Sequence, residues 1–232
     1  MPAGSVLLVI PARLHSTRLP RKVLLRETGK YLVEHVYERA VQVRGADEVV
    51  VATDDRSVVA AVESFGGAAV LTSPDHASGS DRAAEVARGR DARLVVNLQA
   101  DEPEIEPGDV AALIEAMAPD VEMGTLVFAG LTPSQQDDPS VVKAVVEDGW
   151  ATDFRRESTP GGWRHLGIYA FRADFLQTYT LLETTEREKA RRLEQMRALD
   201  HGHRIRAVEA SHASIGIDTP EDYAAFVARC RS

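Results

Sequence analysis

The stretch VIPARLHSTRLPRKVLL, residues 9–25, decides how this chain is read. It follows directly on the apolar run VLLVI (6–10) and opens into a loop carrying Arg13, Arg18, Arg21 and Lys22. An apolar run of this length ending in a polar loop has the character of a buried strand. Four cations placed just after it require an explanation, because the chain as a whole is acidic.

Working outward, the same device recurs. Strand-like runs stand at EVVVAT (48–53), AAVLT (68–72) and LVVNLQ (94–99), with helical patterns between them. In YLVEHVYERAVQV, Leu32, Val36 and Ala40 recur every four residues and Gly45 supplies a stop; DRSVVAAVESFGG ends likewise at Gly66 and Gly67. A further helix is expected between Asp75 and Arg88, with Ser78 or Ser80 as its N-cap. Continuous apolar strands alternating with helices indicate an α/β domain with a doubly wound, mostly parallel sheet covered on both faces. After residue 120 the rhythm changes. GTLVFAGL, VVKAVVED, WATDF and HLGIYAFR are strand-like, and Asp148-Gly149 marks a hairpin. TTEREKARRLEQMRAL (184–199) reads as strongly helical, RIRAVEA as a strand and DTPEDYAAFVARC as a closing helix. We expect one domain over 1–232 with a small mixed-strand insertion near 120–180.

Composition narrows the function. The 232 residues are 44% hydrophobic with a formal net charge of −9, which argues against a general nucleic-acid surface. A local basic patch on such a chain suits a compact anionic ligand. The single cysteine, Cys230, allows neither a disulfide framework nor a cysteine metal site. The opening MPAGSVLLVI lacks the basic flank and length of a signal peptide, and no apolar run approaches the ~20 residues that span a bilayer. A soluble cytoplasmic protein without membrane insertion is expected.

In open α/β sheets, ligands bind beyond the carboxyl ends of the strands, which is where the basic loop sits. Several cations there suit a triphosphate, whose oxygens accept arginine contacts along their length. Neither G-x-x-x-x-G-K-[ST] nor G-x-G-x-x-G follows this strand, so neither a P-loop nor a dinucleotide fingerprint is present. The plainer alternative is a solvated basic loop flanking a helix. Two carboxylates extend the first reading. Asp101 follows LVVNLQ, and Asp218 stands at a strand-to-helix junction in IGIDTPEDY. Carboxylates near phosphates commonly hold Mg²⁺. Asp101 could equally form a turn before Pro103, whereas Thr219, Pro220, Glu221 and Asp222 start a helix without needing Asp218.

PAR-x-x-STRLP-x-K, DHASGSDR, QADEP, HLGIYAF, LEQMR and GIDTPED, in that order, resemble the 3-deoxy-manno-octulosonate (Kdo) cytidylyltransferases, from about Val9 to Tyr223. The first motif is shared with other sugar-acid nucleotidyltransferases; its combination with HLGIY and LEQMR is more specific. The resemblance implies a nucleotide-diphospho-sugar transferase-like fold and the joining of CTP to the anomeric hydroxyl of Kdo, giving CMP-Kdo for lipopolysaccharide and pyrophosphate. It also implies a homodimer, with the insertion shaping the sugar site and the dimer contact. Carried over by motif, Arg13, Arg18 and Lys22 hold the triphosphate, and Pro11 and Ala12 line the nucleotide site. Ser78, Gly79 and Arg82 belong near the cytidine and its phosphates, and Asp101 and Asp218 resemble Mg²⁺ ligands. Gln99, His165, Tyr169, Glu194 and Gln195 resemble the sugar-acid pocket, with Arg156 assisting at the acid. Read without the family, His165 and Tyr169 are half-buried strand residues, Glu194 a solvated helix residue and Arg82 a surface residue.

The match departs from the family at three places. Ala100 stands where the family has glycine, and Arg21 replaces the glycine of LPGK. In FRRESTPGGWRHLGIY, Arg155 replaces a serine, and a long loop shrinks to GGWR. The shortened segment keeps open a cytidylyltransferase for another acidic sugar, 8-amino-Kdo or a nonulosonic acid. A non-catalytic nucleotide-binding protein is the remaining alternative, against which both metal-type carboxylates argue.

Overall fold

A computed structural model describes residues 4–231. The chain divides into two compact units, one formed by residues up to Gly108 together with those from Ser214, the other by Asp109–Ala213.

In the first unit, β1 (Ser5–Pro11), β2 (Glu48–Thr53), β3 (Ala69–Leu71) and β4 (Ala92–Asn97) run parallel in the order β3-β2-β1-β4. Val6 through Ile10 are buried without interruption, as a central parallel strand covered on both faces requires. Helices α1 (Leu32–Ala40), α2 (Arg56–Ser64) and α3 (Gly79–Ala87) form the connections. Their ends follow local chemistry. Asp55 caps α2 by accepting from Ser57 N at 2.7 Å, and Ser78 caps α3 in a capping box with Asp81. Gly66 closes α2 at φ 82°, a conformation that glycine adopts without a Cβ penalty. The last helix, Pro220–Arg231, packs Tyr223, Phe226 and Val227 against Leu19, Leu32 and Ile217.

The second unit corrects the expectation of a doubly wound, mostly parallel sheet. Helix α4 (Pro107–Glu115) leads into it, and it holds β5 (Met123–Phe128), β6 (Lys143–Glu147), β7 (Trp150–Arg155), β8 (Trp163–Arg172) and β9 (Ile205–Glu209). Only β5 and β9 are parallel; β5–β8, β6–β7, β6–β8 and β7–β9 are antiparallel, so the strands are mixed. Pairing runs β8-β5-β9-β7-β6 and returns from β6 to β8. The tight turn at Asp148 (φ 50°) and Gly149 (φ 77°) is one cause, because a two-residue hairpin forces its strands antiparallel.

The unit also holds the short helices α5 (Pro133–Asp137) and α6 (Ala173–Tyr179). Residues 184–199 do not form one helix. They form α7 (Glu186–Arg191) and α8 (Met196–Asp200), separated at Arg192, which is left-handed at φ 54°. Tertiary contacts override the helix propensity here. The Arg156 guanidinium donates to the carbonyls of Arg191 (3.0 Å) and Arg192 (3.4 Å), and the buried Glu188 carboxylate accepts from Arg197 across the break at 2.6 and 2.9 Å. No helix among the described residues is long and apolar enough to cross a membrane.

Candidate active site

The loop after β1 and the loop after β4 leave the carboxyl ends of neighbouring parallel strands, and a cavity of about 360 Å³ lies there in the first unit. Pro11, Arg13, Arg18 and Lys22 line it on one side; Gly79, Gln99, Asp101 and Asp218 complete it. Gly79 suits its place because a Cβ there would meet Pro11 Cγ at 3.0 Å. Arg13 donates to the Ala77 carbonyl at 2.7 Å, tying the basic loop to the segment before α3.

The centre of the cavity is an ion cluster. Lys22 Nζ lies 2.7 Å from Asp101 Oδ2 and 3.1 Å from Asp218 Oδ1, and Arg18 Nη2 lies 2.9 Å from Asp218 Oδ2. Burial disfavours the Lys22 charge, but its ion pairs and hydrogen bonds with Asp101 and then Asp218 outweigh this and raise its pKa above the ordinary lysine value. The two aspartates meet because Ile217 N donates to the Asp101 carbonyl at 2.9 Å, laying the returning chain against the loop after β4. No cluster of three or more His, Cys, Asp or Glu side chains suited to a metal occurs among the described residues. Two carboxylates converging on a wet, phosphate-sized cavity form a hard oxygen donor set suited to Mg²⁺, which takes one or two protein carboxylates and fills its remaining positions from water and phosphate.

Four residues of the basic and serine-containing motifs are placed elsewhere. Ala12 is fully buried, its N–H donating to the Ala52 carbonyl at 2.8 Å. Ser78 spends its hydroxyl on capping α3. Arg82, read from sequence as a surface residue or a ligand contact, is fully buried. It donates to Asp54 at 3.2 Å, to the Ser73 carbonyl at 3.3 Å and to the Thr72 hydroxyl. Arg21 does not line the cavity either; it is left-handed at φ 56° ahead of the 3-10 turn Lys22–Leu24 that carries Lys22. Its charge lies near Asp55, whose pKa is lowered first by Ser57 hydrogen bonds and then, more weakly, by Arg21 and His15. His15, Ser16, Thr17 and Ala100 also line the cavity. The first three are in the quoted loop, and that position was the available signal. Ala100 has no positive φ, so its Cβ brings no backbone strain.

Of the residues read as a sugar-acid pocket, Gln99 lines this cavity, whereas His165, Tyr169, Glu194 and Gln195 lie near one another in the second unit. His165 and Tyr169 lie on β8, their rings 5.5 Å apart, and Phe154 meets His165 edge-on at 4.9 Å. Burial lowers the His165 pKa to about 3, so the ring is neutral; burial, then the nearby Glu194 charge, raises that of Tyr169. Tyr169 donates to Gln195 Oε1 at 3.1 Å, and the Glu194 carbonyl accepts from Tyr179 at 2.7 Å. Gly167, at φ 67°, sits where the β5–β8 register shifts, which explains the glycine of HLGIY. Sequence reasoning missed Thr125, fully buried on β5, whose hydroxyl lies 3.0 Å from His165 Nε2. Arg156 joins this unit's backbone: besides residues 191 and 192, it donates to the Pro139 carbonyl at 3.1 Å. The shortened segment is a compact turn, with Gly162 N donating to the Thr159 carbonyl at 2.8 Å.

The sequence profile of a family described as "Cytidylyltransferase" matches residues 7–205. A 3-deoxy-manno-octulosonate cytidylyltransferase of Geobacter sulfurreducens is 44% identical over 236 residues, covering 92% of this chain and 94% of the relative. An 8-amino-3,8-dideoxy-manno-octulosonate cytidylyltransferase of Shewanella sp. (strain ANA-3) is 41% identical over 233 residues, covering 94% and 95%. Among solved structures, a CMP:2-keto-3-deoxy-manno-octonic acid synthetase complexed with CTP superposes with a TM-score of 0.94 at 42% identity, covering 98% of both chains.

Proposed function

We propose the reaction of this chain from the premise that it belongs to the cytidylyltransferase family. It transfers CMP from CTP to the anomeric hydroxyl of Kdo, releasing pyrophosphate, as the names of relatives at 41–44% identity support. The hydroxyl oxygen bonds to the α-phosphorus, the bond to the β-phosphate bridging oxygen breaks, and the hydroxyl proton is lost. The observation that carries this reading is the meeting of Lys22 and Arg18 with Asp101 and Asp218 in a cavity at the strand ends.

The chain's own residues divide the work. Arg13, Arg18 and Lys22 bind and orient the triphosphate and offset the charge that builds on the departing pyrophosphate. Pro11 and Gly79 shape the space around the nucleotide, and Gln99, lining the same cavity, faces the sugar acid. Asp101 and Asp218 would hold Mg²⁺, which when bound supplies positive charge at the reacting phosphate. In the second unit, His165, Tyr169, Glu194 and Gln195 read the sugar acid, and the segment near 120–180 supplies a homodimer contact. Reliance on CTP favours a cytoplasmic location.

Purified protein with Mg²⁺ and CTP, with or without Kdo, tests the reading by pyrophosphate release. Kdo-dependent release is expected; CTP binding without release, whichever acidic sugar is supplied, would instead favour a nucleotide-binding protein without catalysis. A second reading, with 8-amino-Kdo as acceptor, is favoured by the Shewanella relative at the same level of identity. The ratio of kcat/KM for the two sugars decides between them.

A further inference from the structure

Thr125 belongs to no motif that led to the site, yet its hydroxyl settles the chemistry of the residue beside it. The hydroxyl carries one proton, and a backbone carbonyl can only accept. Thr125 Oγ1 donates to the Ile168 carbonyl at 2.7 Å. Its contact with His165 Nε2 at 3.0 Å must therefore have the ring nitrogen as donor. The neutral ring has one proton, which this contact places on Nε2, leaving Nδ1 bare. Nδ1 makes no hydrogen bond to any described residue, and the residue retains 9% exposure.

The neighbouring group has the opposite polarity. Tyr169 donates to Gln195 Oε1, so the amide turns its Nε2 away from that contact, and Nε2 is buried without a partner among the described residues. One bare acceptor and one unspent donor, on side chains that both border Tyr169, complement a hydroxyl, which donates and accepts at once. A carboxylate oxygen would face the lone pair of Nδ1 and be repelled.

We infer that Thr125 is a positioning residue of the sugar site: it fixes His165 as the Nε2–H tautomer, so that Nδ1 accepts a hydrogen bond from a hydroxyl of the sugar acid. The inference rests on the acidic-sugar reading of the second unit. Thr125→Ser keeps the hydroxyl; Thr125→Val removes it at similar volume.

The test combines long-range proton–nitrogen spectra of ¹⁵N-histidine-labelled protein with steady-state kinetics. Loss of one signal set in His165→Gln identifies His165 among the seven histidines. The expected spectrum has a protonated Nε2 and a bare Nδ1, and Kdo perturbs the Nδ1 signal. Thr125→Ser retains this pattern and the KM for Kdo. Thr125→Val mixes the tautomers and raises the KM for Kdo about tenfold, with the KM for CTP little changed. A proton on Nδ1 in the unaltered protein overturns the inference, as does an unchanged KM for Kdo in folded Thr125→Val. If Thr125→Val fails to fold, the spectrum of the unaltered protein and the behaviour of Thr125→Ser decide. Absence of Kdo-dependent pyrophosphate release counts against the proposed function alone, because the tautomer is read without turnover.

Discussion

The two clusters differ in how they would hold a ligand. In the first unit the groups are ionic and partly wet: Arg18 and Asp218 side chains are 60% and 42% exposed, and each charge is neutralised by another. In the second unit Tyr169, His165 and Gln195 are neutral and between 2% and 9% exposed, with the Glu194 carboxylate as the charge beside Tyr169. Exposed charges attract an anion strongly but orient it loosely, and salt screens them. Buried neutral dipoles attract weakly but fix direction, because an unmatched partner leaves a polar group unsatisfied. The contrast suits one substrate that must be neutralised and another that must be told apart from similar sugars.

The largest expected effect tests the ionic side. Asp101→Ala should lower kcat by about a thousandfold or more while circular dichroism shows an intact fold; near-normal turnover would remove Asp101 from its role. Arg18→Ala comes next, raising the KM for CTP about tenfold and weakening its salt dependence. If CTP response and salt sensitivity stayed unchanged, Arg18 would not belong to the triphosphate cradle.

The dry side is tested by acid. His165 titrates near 3 in the fold and near its ordinary 6.5 when unfolded. Between those values the unfolded chain binds a proton that the folded chain refuses, so stability falls as pH drops from about 6.5 towards 3. The slope from this residue is up to about 1.4 kcal/mol per pH unit. Urea denaturation across that range should show a shallower slope in His165→Gln; equal slopes would mean that the ring is not held neutral. The smallest effect is expected at Arg21, where glycine would relieve the left-handed backbone. Arg21→Gly should stabilise by up to about 1 kcal/mol, a rise of roughly 2–4 °C in Tm measured by calorimetry. A fall would show that the arginine side chain contributes more than its backbone costs.

What the sequence revealed follows the range of the interactions involved. The strands of the first unit, the Ser78 cap, the Gly66 stop and the Asp148-Gly149 hairpin were legible because each is decided within a few residues. The break at Arg192 was not, because 184–199 consists of strong helix formers and the break is imposed by Arg156, some 35 residues earlier. Arg82 read as a surface residue because its partner Asp54 lies 28 positions away. Thr125 meets His165 only across the β5–β8 pairing, 40 positions distant. Of the candidate site, the basic loop and both aspartates could be argued from residue chemistry, and the structure gathers Arg13, Arg18 and Lys22 with them. The sugar cluster came from family resemblance alone, since a histidine and a tyrosine on a strand are ordinary core residues.

The return of the chain to its first unit has a consequence for synthesis. Asp101 is made early; the chain then leaves at Gly108, builds a second unit through Ala213, and only afterwards supplies Asp218. A growing chain therefore carries one carboxylate of the pair while more than a hundred residues are still being added. Lys22 and Asp101 can pair during that interval, which spares the half-built loop an isolated charge. Asp218 joins them only after the second unit has been made, so the carboxylate pair is completed later than that unit.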